Sequence, residues 1–184
     1  MPNVEIARAE AKDLDEILRI QKRAYLSEAA IYGAERIPPL SETIEAVKSD
    51  WERKTVLKAT VLGRLAGSVR LELEGALCRL GRFSVRPELQ GRGIGSALLT
   101  ASERVFPEAR QIELFTGSRS EANLRLYASH GYVRVREEPL PGGVSIVYLR
   151  KTIPGIPACP AFSSTTQPAD ENVDASRRLP RQGP

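Results

Sequence analysis

The run Arg82-Phe-Ser-Val-Arg-Pro-Glu-Leu-Gln-Gly-Arg-Gly-Ile-Gly-Ser96, continued by Ala97-Leu-Leu-Thr-Ala-Ser-Glu-Arg-Val-Phe106, takes an apolar strand through three glycines straight into an amphipathic helix. Ile94, Leu98, Ala101 and Val105 recur at helical spacing, and Pro107 predicts the stop. The first helical turn therefore faces the glycines, which let backbone approach a ligand closely. Unpaired amides and the positive end of the helix dipole favour an anion there, and Arg92 adds a charge-assisted contact. The segment predicts a phosphate site.

Two familiar phosphate loops fit less well. A Walker-type loop needs Gly-Lys-Ser/Thr at the helix start, whereas Gly95-Ser96 carries no lysine and no residue is placed to hold magnesium. A dinucleotide fingerprint needs Gly-x-Gly-x-x-Gly directly after a strand. Here Ser96 takes the third glycine position, and Pro87-Glu-Leu-Gln90 precedes the turn. Glu113 stands about 20 residues on, where a ribose-binding acid belongs, which keeps that reading open.

Val85-x-Pro87-x-x-Gln90-Gly-Arg-Gly93-Ile-Gly95 resembles the Gln/Arg-x-x-Gly-x-Gly/Ala pyrophosphate signature of the GNAT superfamily of N-acetyltransferases. Downstream, Asn123-Leu-Arg-Leu-Tyr127-Ala-Ser-His-Gly131-Tyr132 resembles a second segment of that family, a helix bearing Asn and Tyr that ends in Gly-aromatic. The resemblance covers residues 3 to 151. It implies a mixed α/β (α+β), mostly antiparallel central sheet flanked by about four helices. It also implies acetyl-CoA as co-substrate with no metal, an amine as acceptor, and a homodimer as a common assembly.

Composition fits one such domain. The chain has 184 residues, 41% of them hydrophobic, enough for one core. Met1-Pro-Asn-Val-Glu-Ile has none of the order of a signal peptide, and no apolar run approaches about 18 residues, so a cytoplasmic protein without membrane contact is expected. Cys78 and Cys159 suggest neither a disulfide framework nor a metal site. The net charge of +4 arises entirely within residues 1–151. It suits a CoA phosphate, and no Lys/Arg cluster interleaved with aromatics points to nucleic acid. Residues 152–184 hold six prolines and few large apolar side chains, predicting a disordered tail after a domain over 1–151.

Val4 to Ala9 reads as a strand, and Asp13-x-x-Glu16 as a capping box for a helix over 13–27. After a break at 28–40, Ser41 is expected to cap a second helix with Ile44, Val47 and Trp51 inward. Thr55–Leu62, Leu65–Leu73 and Ala76–Val85 predict an antiparallel meander. A strand over Gln111–Thr116, a helix over Ser120–His130, and strands near Tyr132–Arg136 and Val144–Leu149 complete the order.

Acetyl transfer needs a polarised carbonyl, a protonated leaving thiolate and a deprotonated amine. By the resemblance, the amide of Ser84 or Val85 polarises the carbonyl, and the amides of Gln90, Gly91, Arg92, Gly93, Ile94, Gly95 and Ser96 hold the pyrophosphate. Tyr127, on the matched tyrosine, is the expected general acid, since a phenol with an ordinary pKa near 10 stays protonated at neutral pH. Asn123, one turn earlier, is expected to contact the pantetheine arm. Where relatives often carry a glutamate, this strand has Arg82, Phe83 and Ser84, so the base falls to Glu72 or Glu113 on neighbouring strands. His130 and Cys78 suit structural roles. Tyr25, Glu28, Tyr32 and Glu35 are expected to line an acceptor pocket for an amine of a small molecule. The alternatives are a peptide or protein amine as acceptor, or a non-catalytic module that senses acetyl-CoA.

Overall fold

Alternating apolar positions in three consecutive runs, broken by Gly63 and Gly75 in the left-handed region, build the antiparallel meander β2 (Thr55–Val61), β3 (Arg64–Glu74) and β4 (Leu77–Val85). In the computed structural model, which describes residues 3–32, 37–140 and 144–154, β1 (Val4–Arg8) pairs outside β2. Beyond β4 come β5 (Gln111–Gly117), β7 (Val144–Thr152) and the edge strand β6 (Val133–Leu140), giving the order β1-β2-β3-β4-β5-β7-β6. All neighbours are antiparallel except β4 and β5. The helices are α1 (Leu14–Tyr32), α2 (Pro38–Ser41), α3 (Ile44–Arg53), α4 (Ile94–Ser102) and α5 (Glu121–Ser129). Among the described residues no helix is long and apolar enough to cross a membrane.

The strand period of two divides the core between the sheet's faces. On one, Val69, Leu71, Leu80, Ile112 and Leu149 pack beneath Ile94, Leu98 and Leu99 of α4. On the other, Val56 and Leu65 meet Leu14, Ile17 and Ile20 of α1 and Val47 of α3. Each such side chain contributes roughly 1.5–3 kcal/mol by leaving water. Trp51 fixes α3 by donating its indole N–H to the Ala9 carbonyl at 2.9 Å.

Several boundaries differ from the sequence reading. Helix α1 runs on to Tyr32, because nothing in Glu28-Ala-Ala-Ile-Tyr32 breaks a helix. The capping box lies three residues earlier than expected, on Glu10 and Asp13, and Glu16 pairs instead with Arg86 and Arg19. Thr43, not Ser41, caps α3, accepting from the Ala46 amide at 3.3 Å; Ser41 closes the short α2. Helix α4 stops at Ser102, whose hydroxyl turns back to the Leu98 carbonyl at 2.8 Å. The proposed tail, apart from residues 152–154, lies outside the described residues.

Gly67 sits where β3 passes closest to β4. A Cβ there would lie 2.6 Å from the Ser84 carbonyl oxygen, a backbone atom that cannot swing aside. Gly67→Ala is expected to lose about 1–3 kcal/mol of stability, read as a lower urea midpoint with an unchanged slope. An unaltered midpoint would show that the strand pair yields without cost.

Candidate active site at the parting of the strands

Parallel strands β4 and β5 pair only over Leu77–Arg79 and Gln111–Glu113, and then diverge. The divergence coincides with a bulge in β4. Between the Arg70↔Gly81 and Ser68↔Ser84 pairs, Arg82 and Phe83 stand opposite Val69 alone, and Arg82 takes a left-handed φ of 51°. Beyond the bulge the Arg86 amide donates to the Ala66 carbonyl at 2.8 Å. Successive strand amides alternate sides, so Ser84 also turns its N–H toward β3, whereas Val85 turns its N–H into the gap. Of the two expected carbonyl-polarising amides, Val85's is the one with the orientation.

The glycine turn follows directly. Gly91 and Gly93 have φ of 74° and 83°, and no atom lies within 4 Å of a Cβ built on either. Gly93 is the N-cap of α4 and offers no side-chain cap, so the first amides of the helix keep open donors. Gln90 is exposed beside them, its amide donating to the Val85 carbonyl at 3.4 Å, and Arg92 is exposed as well. A Cβ on Gly95 would come within 3.1 Å of Leu126, so the glycine lets the first turn of α4 approach α5 closely. The residues present thus suit a pyrophosphate.

Helix α5 closes the far side of the gap. Tyr127 is 4% exposed, with its ring edge-on to Phe83 at 6.1 Å and tilted against Tyr132 at 6.2 Å. Burial, reinforced by Tyr25 and Glu28, holds its phenol well above the usual range. Helix α1 is joined to the start of α5. Glu28 accepts from the hydroxyl of Ser120 and from Asn123 Nδ2 at 2.8 Å, and the Tyr32 hydroxyl lies 3.0 Å from that of Ser120 and accepts from the Arg119 amide at 3.0 Å. A Cβ on Gly117 would overlap the Tyr32 phenol, so only glycine admits that ring. Tyr25 is nearby on α1; burial carries its phenol up to about 12, against the opposing charge of Arg82. Tyr25, Glu28, Tyr32, Asn123 and Tyr127 are therefore brought together, with Glu28 and Tyr32 engaged in the α1–α5 junction. Glu35 lies outside the described residues.

The expected bases separate. Glu113 is buried, held by Arg79 Nη1 at 2.8 Å and Arg150 Nη2 at 2.6 Å. Glu72 pairs with Lys54 at 3.0 Å but keeps 44% of its side chain exposed. It borders a cavity of 210 Å³ with Asp50, Arg70, Gly81, Arg82 and Phe115, on the α3 face where the strands part. Cys78 is buried, and burial pushes its thiol up to about 12, away from nucleophilic use.

Behind the cavity lies an ionic cluster that motif reading missed. Arg70, 3% exposed, donates through Nη1 to Glu42 at 2.9 Å and Asp50 at 2.7 Å, and through Nη2 to Glu42 at 2.9 Å and Gln21 at 3.0 Å. Arg82 Nε reaches Glu42 at 3.3 Å.

Solved acetyltransferase structures share this architecture. The PaiA N-acetyltransferase of Thermoplasma acidophilum, in complex with coenzyme A, superposes with a TM-score of 0.69 at 17% identity, over 82% of this chain and 99% of its own. The ribosomal-protein-S18-alanine N-acetyltransferase of Escherichia coli does so at 0.67 and 20% identity, over 82% and 94%. YncA of Salmonella typhimurium, solved with acetyl-CoA, does so at 0.66 and 20%, over 84% and 96%. The chain itself belongs to the GNAT acetyltransferases, whose domain model matches residues 28–153. It is 30% identical over 123 residues to the UPF0157 protein YqkA of Bacillus subtilis, spanning 67% of this chain but only 35% of that relative's length.

Proposed function

We propose that the protein transfers the acetyl group of acetyl-CoA to a primary amine of a small molecule by direct attack in a ternary complex. The observation that carries this reading is the convergence, at one opening in the sheet, of the glycine turn, the inward Val85 amide and the buried Tyr127 phenol. Acetyl-CoA would supply the activated acyl group, and the chain supplies its placement. The turn at Gln90–Ser96 and Arg92 hold the pyrophosphate, and Asn123 fixes the pantetheine side of the gap. Val85 N–H donates to the carbonyl oxygen as charge builds on it. The amine nitrogen bonds to the carbonyl carbon as the C–S bond breaks, Tyr127 gives its proton to the departing sulfur, and the ammonium proton leaves toward a carboxylate. Glu72 is the better candidate for that carboxylate, since it borders the cavity while Glu113 is held between two guanidiniums.

The test is thiol release from acetyl-CoA with a panel of polyamines, aminoglycosides, amino acids and short peptides, beside calorimetry with acetyl-CoA alone. Acceptor-dependent release is the expected result. Binding without release across the panel would favour an acetyl-CoA-sensing module, and absence of both would remove the pyrophosphate assignment.

A further inference from the structure

We infer that the cavity where β4 and β5 part is an acceptor subsite for a carboxylate, so that the acetylated amine belongs to an amino acid or a close relative; this rests on the acetyltransfer reading above. The cavity is lined by Asp50, Lys54, Arg70, Glu72, Arg79 and Arg82, among others, with Phe115, itself 52% exposed, as its apolar wall. Its carboxylates are already in ion pairs: Asp50 with Arg70 and Lys54, and Glu72 with Lys54. The two behind them, Glu42 and Glu113, are likewise held by arginines. Among the cations, Lys54, Arg70 and Arg79 are each paired with two carboxylates, whereas Arg82 has one.

The Arg82 side chain makes one hydrogen bond among the described residues, Nε to Glu42 at 3.3 Å, which leaves both terminal nitrogens of its fork without a hydrogen-bond partner there. Arg70 is occupied by Glu42, Asp50 and Gln21, and its Nε, which has no hydrogen bond, is sealed from the cavity. The two terminal nitrogens of a guanidinium match the two oxygens of a carboxylate, so the unfilled capacity of the part-exposed Arg82 is that of an anion receptor. Glu42 accepts from Arg70 and Arg82 together, which holds the Arg82 guanidinium at the cavity's edge instead of in solvent.

The backbone agrees. Arg82 is a non-glycine residue at φ 51°, in the bulge that opens the gap, three residues before the inward Val85 amide. A conformation unfavourable for a side-chain-bearing residue persists where its surroundings over-determine it, and such positions cluster at binding sites. A carboxylate on Arg82 places the rest of the acceptor beside Phe115 and the parting strands, with its amine toward the gap. A polyamine has no acceptor to offer the Arg82 donors.

The test pairs each common L-amino acid with its own carboxamide and its own decarboxylated amine as acceptors. The acid is expected to exceed both partners about 100-fold in kcat/KM for the preferred side chain. In Arg82→Met, which keeps the stem, that preference is expected to collapse toward one, and Arg82→Lys should restore part of it. Acetyl-CoA calorimetry on each variant reports folding and cofactor-side integrity. A separate readout is the thermal shift of the protein, without CoA, in N-acetyl-L-amino acids against their N-acetyl amides. Acids that stabilise while acetyl-CoA fails to bind would retain the carboxylate site and remove the transferase reading. Carboxamides, amines or polyamines that bind and react as well as the acids would overturn the carboxylate assignment, as would acids that neither shift the melting temperature nor serve as acceptors.

Discussion

Tyr127→Phe is expected to lower kcat by about 100-fold or more while leaving acetyl-CoA affinity within about twofold. The phenol ring is 4% exposed and packs edge-on to Phe83, contacts that phenylalanine keeps. Its hydroxyl makes no hydrogen bond to the protein among the described residues, so removing it strands no partner and should change stability little. What disappears is a proton donor at the gap. Burial first, then the neighbouring Tyr25 and Glu28, raise the phenol's pKa, which favours the protonated form. The acid therefore remains charged with its proton as pH rises, and the rate profile should show no alkaline fall from this group up to at least about pH 10. Steady-state kinetics and a pH–rate series check both statements. A loss smaller than about threefold would reduce Tyr127 to a core aromatic.

The parts of this site that were legible in the sequence are those built from neighbours in the chain. The glycines, the helix behind them and the Asn123–Tyr127 spacing belong to short segments whose geometry follows from local chemistry, and helix α4 does start at Ile94 behind a left-handed Gly93. The meander is legible for the same reason, since β-rich runs separated by turn glycines specify it within about 30 residues. What could not be read is set by register between distant strands. Glu113 looks free in the sequence, yet β5 lies between β4 and β7, and the register places Arg79 and Arg150 directly beside it. Arg70 reads as the polar half of an alternating strand; its burial depends on α1, α2 and α3 stacking over that one position. Arg82, noted only as a departure where a glutamate was expected, gains its meaning from a bulge that pairing alone reveals.

Glu42→Ala is expected to cost about 3 kcal/mol of folding stability, because it leaves a nearly inaccessible guanidinium with Asp50 as its remaining carboxylate. The same cluster sets the response to acid. Burial alone would raise the carboxyl pKa of Glu42, but hydrogen bonds from Arg70 and Gln21 and the charges of Arg70 and Arg82 outweigh it and hold the value below the usual carboxylate range. Asp50 is lowered likewise, with Arg70 and Lys54 overcoming its desolvation. A carboxylate whose folded pKa lies below its unfolded one binds its proton more readily in the unfolded chain. Its contribution is thus complete above the unfolded value and is lost as pH falls through the folded one. Urea midpoints should stay level from about pH 8 to 5 and decline below about pH 4, where unfolded Asp and Glu take up protons. In Glu42→Ala the plateau should sit lower and the acid decline should be shallower, since one of the linked carboxyls is gone. A plateau within about 1 kcal/mol of the parent would mean that Asp50 neutralises Arg70 unaided, and a parent curve level to pH 3 would mean that neither carboxyl is linked to folding.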